Sequence, residues 1–303
     1  VVYTLSLHAA FPIFSSGCCQ HNHAQGWPYF AENLWMATPD NGLAAVIYAS
    51  SSVTAKVGDG SVVTIKHTSN YPFEDALNFE ITLQKSTAFP LYFRIPGWAN
   101  DAFISLNGEK IDIKLEAGKY LKVNREWSNG DKIQLQLPKK IQVKTWEANH
   151  NSVSVNYGPL TFSLKIGENY IKKDSDKTSL HDSKWQKGVN AKEWPSYEIH
   201  PTTDWNYGLI LNEDPTTSFE IEIKPWPKDN FPFTTASAPI VLKVKAKKIP
   251  DWKIDKYGLA GELKDSPINS NEVIETVELI PMGAARLRIS AFPVIKKKSK
   301  GTD

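Results

Sequence analysis

Beyond Gly42 the chain stops reading as helix and becomes a succession of short β-rich segments, each cut off by Gly, Pro, Asn or Asp, and this punctuation narrows its possible folds more than any other feature. The strand candidates are residues 43–48, 52–57, 62–67, 76–83, 91–95, 103–106 and 132–137. Between them lie Gly58-Asp59-Gly60, Asn107-Gly108 and Asn129-Gly130-Asp131, residues that accept the positive φ a tight hairpin needs. Strands at this close spacing, with no helical pattern between them, predict an antiparallel sandwich and exclude a βαβ sheet.

A second β-rich block starts at 141–155. Tyr157-Gly158-Pro159-Leu160 leads into 161–165, and the polar stretch 168–194 reads as a decorated loop or as the wrapping of a second sandwich. Residues 218–224 place Phe219, Ile221 and Ile223 on one face, and 240–246 do the same with Ile240, Leu242, Val244 and Ala246. The last strand patterns are 276–280 and 286–291.

One helical pattern precedes all of this. From 22 to 36, Trp27, Phe30, Ala31, Leu34 and Trp35 recur at helical spacing, with Asn22 as an acceptable cap. Pro28 is tolerable only near the first turn. Thr38-Pro39-Asp40-Asn41-Gly42 should stop the helix. The spacing of Trp27, Tyr29 and Trp35 reads as packing rather than as a sugar platform.

The chain holds two cysteines in 303 residues, Cys18 and Cys19, side by side in Gly17-Cys18-Cys19-Gln20-His21-Asn22-His23. They are poorly placed to bond each other, since a disulfide wants Cα atoms roughly 4.4–6.8 Å apart and a trans peptide holds them about 3.8 Å apart. The pair therefore reads as chemistry, as metal ligation, or as two small buried apolar side chains. His21 and His23, two apart on a helix, do not share a face and make a poor local metal site.

Charge excludes several classes. Thirty-five basic and 33 acidic residues leave a net charge of +2, too balanced for a surface built to attract a phosphate backbone or anionic lipid, so neither nucleic acid nor membrane is expected as a partner. The run Lys296-Lys297-Lys298-Ser299-Lys300 reads as a solvated tail. No window of 18 apolar residues exists. Residues 1–13 are apolar but lack an initiator Met, a basic leading region and a cleavage motif, and read as a non-native leader.

Several stretches together carry a resemblance. Gly17-Cys18-Cys19-Gln20-His21-Asn22, Trp27-Pro28-Tyr29-Phe30, Leu34-Trp35-Met36-Ala37 and the strand at 43–48 resemble the end of the catalytic domain of glycoside hydrolase family 127, the β-L-arabinofuranosidase family. Phe93-Arg94-Ile95-Pro96-Gly97-Trp98-Ala99, Leu106-Asn107-Gly108, Tyr157-Gly158-Pro159-Leu160, Leu279-Ile280-Pro281-Met282-Gly283-Ala284 and Leu287-Arg288-Ile289 are similar to its C-terminal region. The resemblance runs from about residue 16 to 293, and its motifs are specific jointly rather than singly.

The resemblance implies a mainly β fragment: two antiparallel β-sandwich domains preceded by a short helical remnant of an (α/α)6 barrel. The domain reading that follows is a leader at 1–13, the end of the barrel at 14–41, a first sandwich from 42–157 plus 273–293, a second sandwich at 158–272, and a disordered basic tail at 294–303. It also implies a retaining glycosidase acting on plant or pectic oligosaccharides. Cys18 would be the nucleophile, Cys18 and Cys19 zinc ligands, and Asn22 part of the Cys-Cys-x-x-Asn motif. A zinc ion can hold a thiol with a free pKa near 8.5 as the reactive thiolate at neutral pH. In similar enzymes the acid/base glutamate, the remaining zinc ligands and the sugar-gripping histidines lie upstream of the cysteine pair. By that reading these 303 residues alone neither turn over substrate nor hold zinc tightly, and the apolar helix face that would meet a barrel is exposed. Resemblance to bacterial glycan-degrading enzymes points to a periplasmic or secreted protein. The alternative reading is a non-catalytic carbohydrate-binding or structural β-sandwich protein with an incidental cysteine pair.

Overall fold

The computed structural model describes residues 18–174, 187–256 and 258–297. The chain is mainly β and divides into two compact units, Gly17–Lys139 and a second that begins at Lys140.

The first unit opens with α1 (Cys18–Glu32). The helix starts before the expected cap at Asn22 and ends before Leu34. Pro28 sits in its interior, where it forfeits the bond to the carbonyl of Ala24, an exposed residue. Residues 35 and 36, expected at the end of the helix, join Ala37 in β1 (Trp35–Ala37), antiparallel to β2 (Leu43–Ala45), because a tertiary partner outweighs local periodicity there.

Two sheets follow. The four-stranded one runs β1-β2-β6-β9, with β6 at Thr87–Arg94 and β9 at Tyr120–Trp127. The six-stranded one runs β3-β4-β5-β10-β7-β8, at Ser51–Val57, Ser61–Thr68, Ala76–Leu83, Lys132–Gln136, Phe103–Leu106 and Glu109–Lys110 respectively. The pairing is antiparallel except between β2 and β6, which lie parallel with Leu43 opposite Leu91. Alternation sets the inner faces: Leu77, Phe79, Ile81 and Leu83 of β5 are buried while the residues between them are not. They join Phe89, Leu91 and Phe93 of β6 and Leu121, Val123 and Trp127 of β9 in one apolar cluster.

The second unit is built on a seven-stranded antiparallel sheet. Its order is β11-β12-β13-β19-β18-β16, at Ile141–Trp146, Ser152–Tyr157, Leu160–Leu164, Glu275–Pro281, Ile240–Lys248 and Tyr207–Leu209, and β17 (Phe219–Ile223) also pairs with β18. The polar stretch after 168 contributes half of a separate ribbon, β14 (Glu168–Lys173) on β15 (Ser196–Pro201). The buried face of β18 carries Ile240, Leu242, Val244 and Ala246, as its alternation predicts. The matching face of β17 is different, with Ile221 40% and Ile223 65% exposed, on an edge strand that pairs with β18 on one side.

Three expectations about this unit are corrected. Residues 273–293 do not return to the first sandwich: β19 lies between β13 and β18, with Leu279 opposite both Leu164 and Leu242. A strand with Leu279 and Ile280 fully buried on opposite faces requires a central position. Residues 141–157 likewise pair here, as β11 and β12, so the division falls at 139/140. Finally, 286–291 is no strand, since the backbone N–H groups of Arg286 and Leu287 donate to Glu168 Oε1 instead of to a ladder. Ordered pairing resumes at Phe292 and runs to Lys296, into the expected tail at 294–303. Ile295 is 6% exposed there and packs with Ile249 and Trp252.

Candidate functional site

The cysteine motif lies on the first turns of α1. The helix backbone puts Cys18 and Asn22 one turn apart and Cys19 about 100° from Cys18. The side chains of Cys18, Cys19, His21 and His23 lie outside the described residues, and Asn22 is exposed. Further along, Trp27, Tyr29 and Phe30 are 49%, 67% and 39% exposed, and Trp27 meets Phe30 edge-on at 6.1 Å. Of the three aromatics read as packing, Trp35 packs against the sandwich core: it meets Phe79 at 6.0 Å and its Nε1 donates to Ser51 Oγ at 3.2 Å. The exposed aromatic face of α1 is one that needs cover.

The helix exit is tied firmly to the sandwich. The carbonyl of Leu34 accepts from the N–H groups of Val46 and Ile47 at 3.0 and 3.3 Å. Asp40, in the following turn, gathers Tyr92 OH at 2.6 Å and Lys122 Nζ at 2.8 Å on one oxygen and Thr38 Oγ1 at 2.5 Å on the other. Lys122 first, then the two hydroxyls, hold its carboxyl well below the usual range. Gly42 is obligatory at this turn, since a Cβ would come within 2.2 Å of the Pro90 carbonyl oxygen. The cysteine-bearing helix is thus delivered from a fixed point on β6 and β9.

Sequence reasoning missed a second group of residues because nothing in the period-two pattern marks it. His67 of β4 points inward and is 2% exposed, stacked on Phe79 at 4.5 Å with Tyr48 edge-on at 6.0 Å. Its Nδ1 lies 2.8 Å from the carbonyl of Ala49, which can only accept, so the proton sits on Nδ1. Nε2 has no hydrogen-bond partner among the described residues. Burial pushes the imidazole below its ordinary 6.5, opposed by the Ala49 bond. The unfolded chain therefore takes up the proton first, so the stabilisation is complete above about pH 6.5 and is lost as pH falls through and below that value. His67→Phe keeps the stacking, removes the orphan acceptor and leaves the Ala49 carbonyl to Ser51 Oγ. The variant should unfold at higher urea, by about 1 kcal/mol, and its stability between pH 7 and pH 5 should fall less steeply than that of the wild type. An unchanged pH slope would remove His67 from the acid response.

Among the described residues no group of three or more His, Cys, Asp or Glu is placed to hold a metal ion. Cys18 and Cys19 are two thiols of the kind zinc takes as ligands. Nor is any described helix long and apolar enough to cross a membrane.

The folding pattern defines a class first: a two-unit β protein whose first unit is a sandwich entered from a cysteine-bearing helix. Residues 42–139, nearly the whole of that sandwich, match the family model described as beta-L-arabinofuranosidase, GH127 middle domain. The resemblance read from the sequence holds.

Solved structures agree in fold. A GH127 β-L-arabinofuranosidase from Geobacillus stearothermophilus T6 is similar over 94% of this chain and 38% of its own, at 22% identity and a TM-score of 0.58. A protein described as a glycoside hydrolase is similar over 98% of this chain and 43% of its own, at 18% identity and TM-score 0.60. A further GH127 β-arabinofuranosidase covers 93% and 39%, also at 18% and 0.60. The chain thus spans about two fifths of the length of the structures it matches. Comparison with curated proteins finds no match.

Proposed function

We propose that this chain is the C-terminal part of a retaining glycoside hydrolase acting on β-L-arabinofuranosides or related plant-glycan linkages, and that Cys18 is its nucleophile. The observation that carries this reading is the GH127 middle domain at 42–139, directly preceded in the sequence by a helix whose first turns hold the Cys-Cys-x-x-Asn motif. Cys18 would attack the anomeric carbon as the thiolate, expelling the leaving alcohol and forming a thioglycosyl intermediate that water then resolves. Cys19 would join Cys18 in holding zinc, whose chemical contribution is to keep a thiol ionised at neutral pH. Asn22, one turn from Cys18 on the helix backbone, completes the motif. The acid/base carboxylate and the other ligands would come from a barrel upstream, and the enzyme would be periplasmic or secreted, as resemblance to bacterial glycan-degrading enzymes suggests.

Two measurements test this. In an enzyme that joins this chain to its upstream coding sequence, Cys18→Ala should cut turnover of an aryl β-L-arabinofuranoside by roughly 10⁴-fold or more, as removal of a covalent nucleophile does. The 303 residues by themselves should show no turnover and less than one equivalent of tightly held zinc. Undiminished activity in the Cys18→Ala enzyme would end the nucleophile assignment.

A further inference from the structure

The outward face of β11, β12 and β13 forms a shallow hollow of about 560 Å³. β11 contributes Gln142, Lys144 and Trp146, two residues apart and so on one face of the strand; β12 contributes Ser154 and Asn156, and β13 contributes Thr161. Register brings them together: Gln142 lies opposite Asn156, Lys144 opposite Ser154, and Asn156 opposite Thr161.

Trp146 is 43% exposed, yet it is held in place, its Nε1 donating to Ser154 Oγ at 2.9 Å. The indole is thus an oriented aromatic plate rather than a loose surface ring. Around it stand the amides of Gln142, Asn149 and Asn156 and the hydroxyls of Ser154, Thr161 and Ser290, of which Asn156 and Thr161 make only a long 3.4 Å contact with each other. The lining holds one cation, Lys144, and no anion. The Lys144 ammonium lies over one face of the Trp146 ring, 3.8 Å from its centroid, so a stacking ligand would take the opposite face; no carboxylate of the described residues is in ion-pairing range of Lys144.

A flat aromatic plate flanked by amides and hydroxyls on a rigid sheet matches the surface of a sugar ring. The indole meets its C–H face, and amide groups, each both donor and acceptor, meet its vicinal hydroxyls. An unpaired ammonium against the plate adds a partner for a carboxylate carried on the same ring. We propose that this face is a glycan-binding surface with Trp146 as its stacking residue, and that it favours chains of carboxylated sugars over neutral ones. The surface needs no nucleophile, so the proposal stands apart from the Cys18 reading. Binding can fail while that reading survives, and the reverse.

The test uses the full 303-residue chain, titrated by calorimetry and by ¹⁵N chemical-shift mapping with an oligogalacturonide and, in parallel, a neutral arabino-oligosaccharide at low salt. The oligogalacturonide should bind, with shifts centred on β11 and β12, and severalfold more tightly than the neutral chain. Trp146→Ala should weaken it about tenfold or more, whereas Trp146→Phe, which keeps a plate, should lose less. Lys144→Gln should abolish the preference for the acidic chain and leave neutral binding in place. Thermal melts and amide spectra establish that each variant is folded, so a loss of binding is read on intact protein. Absence of oligogalacturonide binding at millimolar concentration, a preference for the neutral chain, or binding that survives Trp146→Ala would overturn the proposal.

Discussion

Trp127→Ala should destabilise the first unit by about 3–5 kcal/mol, the range for deleting a large aromatic from a close-packed core. The indole at the end of β9 is fully buried, packs beside Phe89 at 6.1 Å, and donates from Nε1 to the Phe89 carbonyl at 2.9 Å. On its other side the Arg125 guanidinium lies 5.2 Å from the ring centroid. One residue thus fills the end of the sandwich core, satisfies a buried carbonyl and fastens β9 to β6. Truncation leaves a cavity that the flanking strands cannot close without breaking their register. Against a total stability of about 5–15 kcal/mol for a domain, a loss of this size takes a large share of the folded population margin. Urea denaturation followed by tryptophan fluorescence and circular dichroism checks it. Trp127→Phe separates the contributions: it keeps most of the ring contacts and gives up the hydrogen bond, for a loss of about 1–2 kcal/mol. A loss below about 1 kcal/mol in the alanine variant would mean that the core repacks around the gap.

The strand that carries Trp127 also marks where the sequence stops being legible. β5 is recognisable to the residue because its apolar and polar positions alternate, and β7 because it is a short apolar-rich run ended by the turn Asn107-Gly108. β9 has only Leu121, Val123 and Trp127 facing inward among Lys, Asn, Arg and Glu, and nothing local separates it from a loop. Its strand character comes from eight backbone pairs with β6, a tertiary fact. The same holds at 35 and 36, where helical periodicity in the side chains loses to pairing with β2. Of the site, the cysteine motif is plain in the sequence because it is a contiguous string. The His67 pocket and the Asp40 junction are invisible there, because each assembles residues from β strands and turns far apart in the chain. The unit boundary failed for a related reason. A buried central strand such as β19 and the strands of a neighbouring sandwich have the same apolar signature, and only pairing partners distinguish them.

The C-terminal segment offers the second large effect, and the reasoning runs against its composition. Residues 294–296 lead into the lysine run and read as the start of a solvated tail, yet with Phe292 and Pro293 before them they are stitched into the second unit from three sides. Phe292 exchanges both backbone hydrogen bonds with Val153 of β12, at 2.8 and 2.9 Å. The Pro293 carbonyl accepts from Leu209 and the Ile295 N–H donates back to it, while Val294 and Lys296 bond to the backbone of Ile268. Between these bonds Phe292 is fully buried, and Ile295 Cδ1 lies 2.6 Å from where a Cβ at Gly208 would sit. A short extended segment with six backbone hydrogen bonds to three separate stretches acts as a clasp: it closes loops that would otherwise each bear their own ordering cost. Phe292→Ala keeps those bonds possible but empties the pocket beneath them, and should cost about 3–5 kcal/mol. Because the clasp joins stretches that do not otherwise pair, the loss should appear in hydrogen exchange as faster deuteration at Val153, Leu209 and Ile268 together. Faster exchange at Val153 alone would mean that the segment acts only locally, and the clasp would have to be given up.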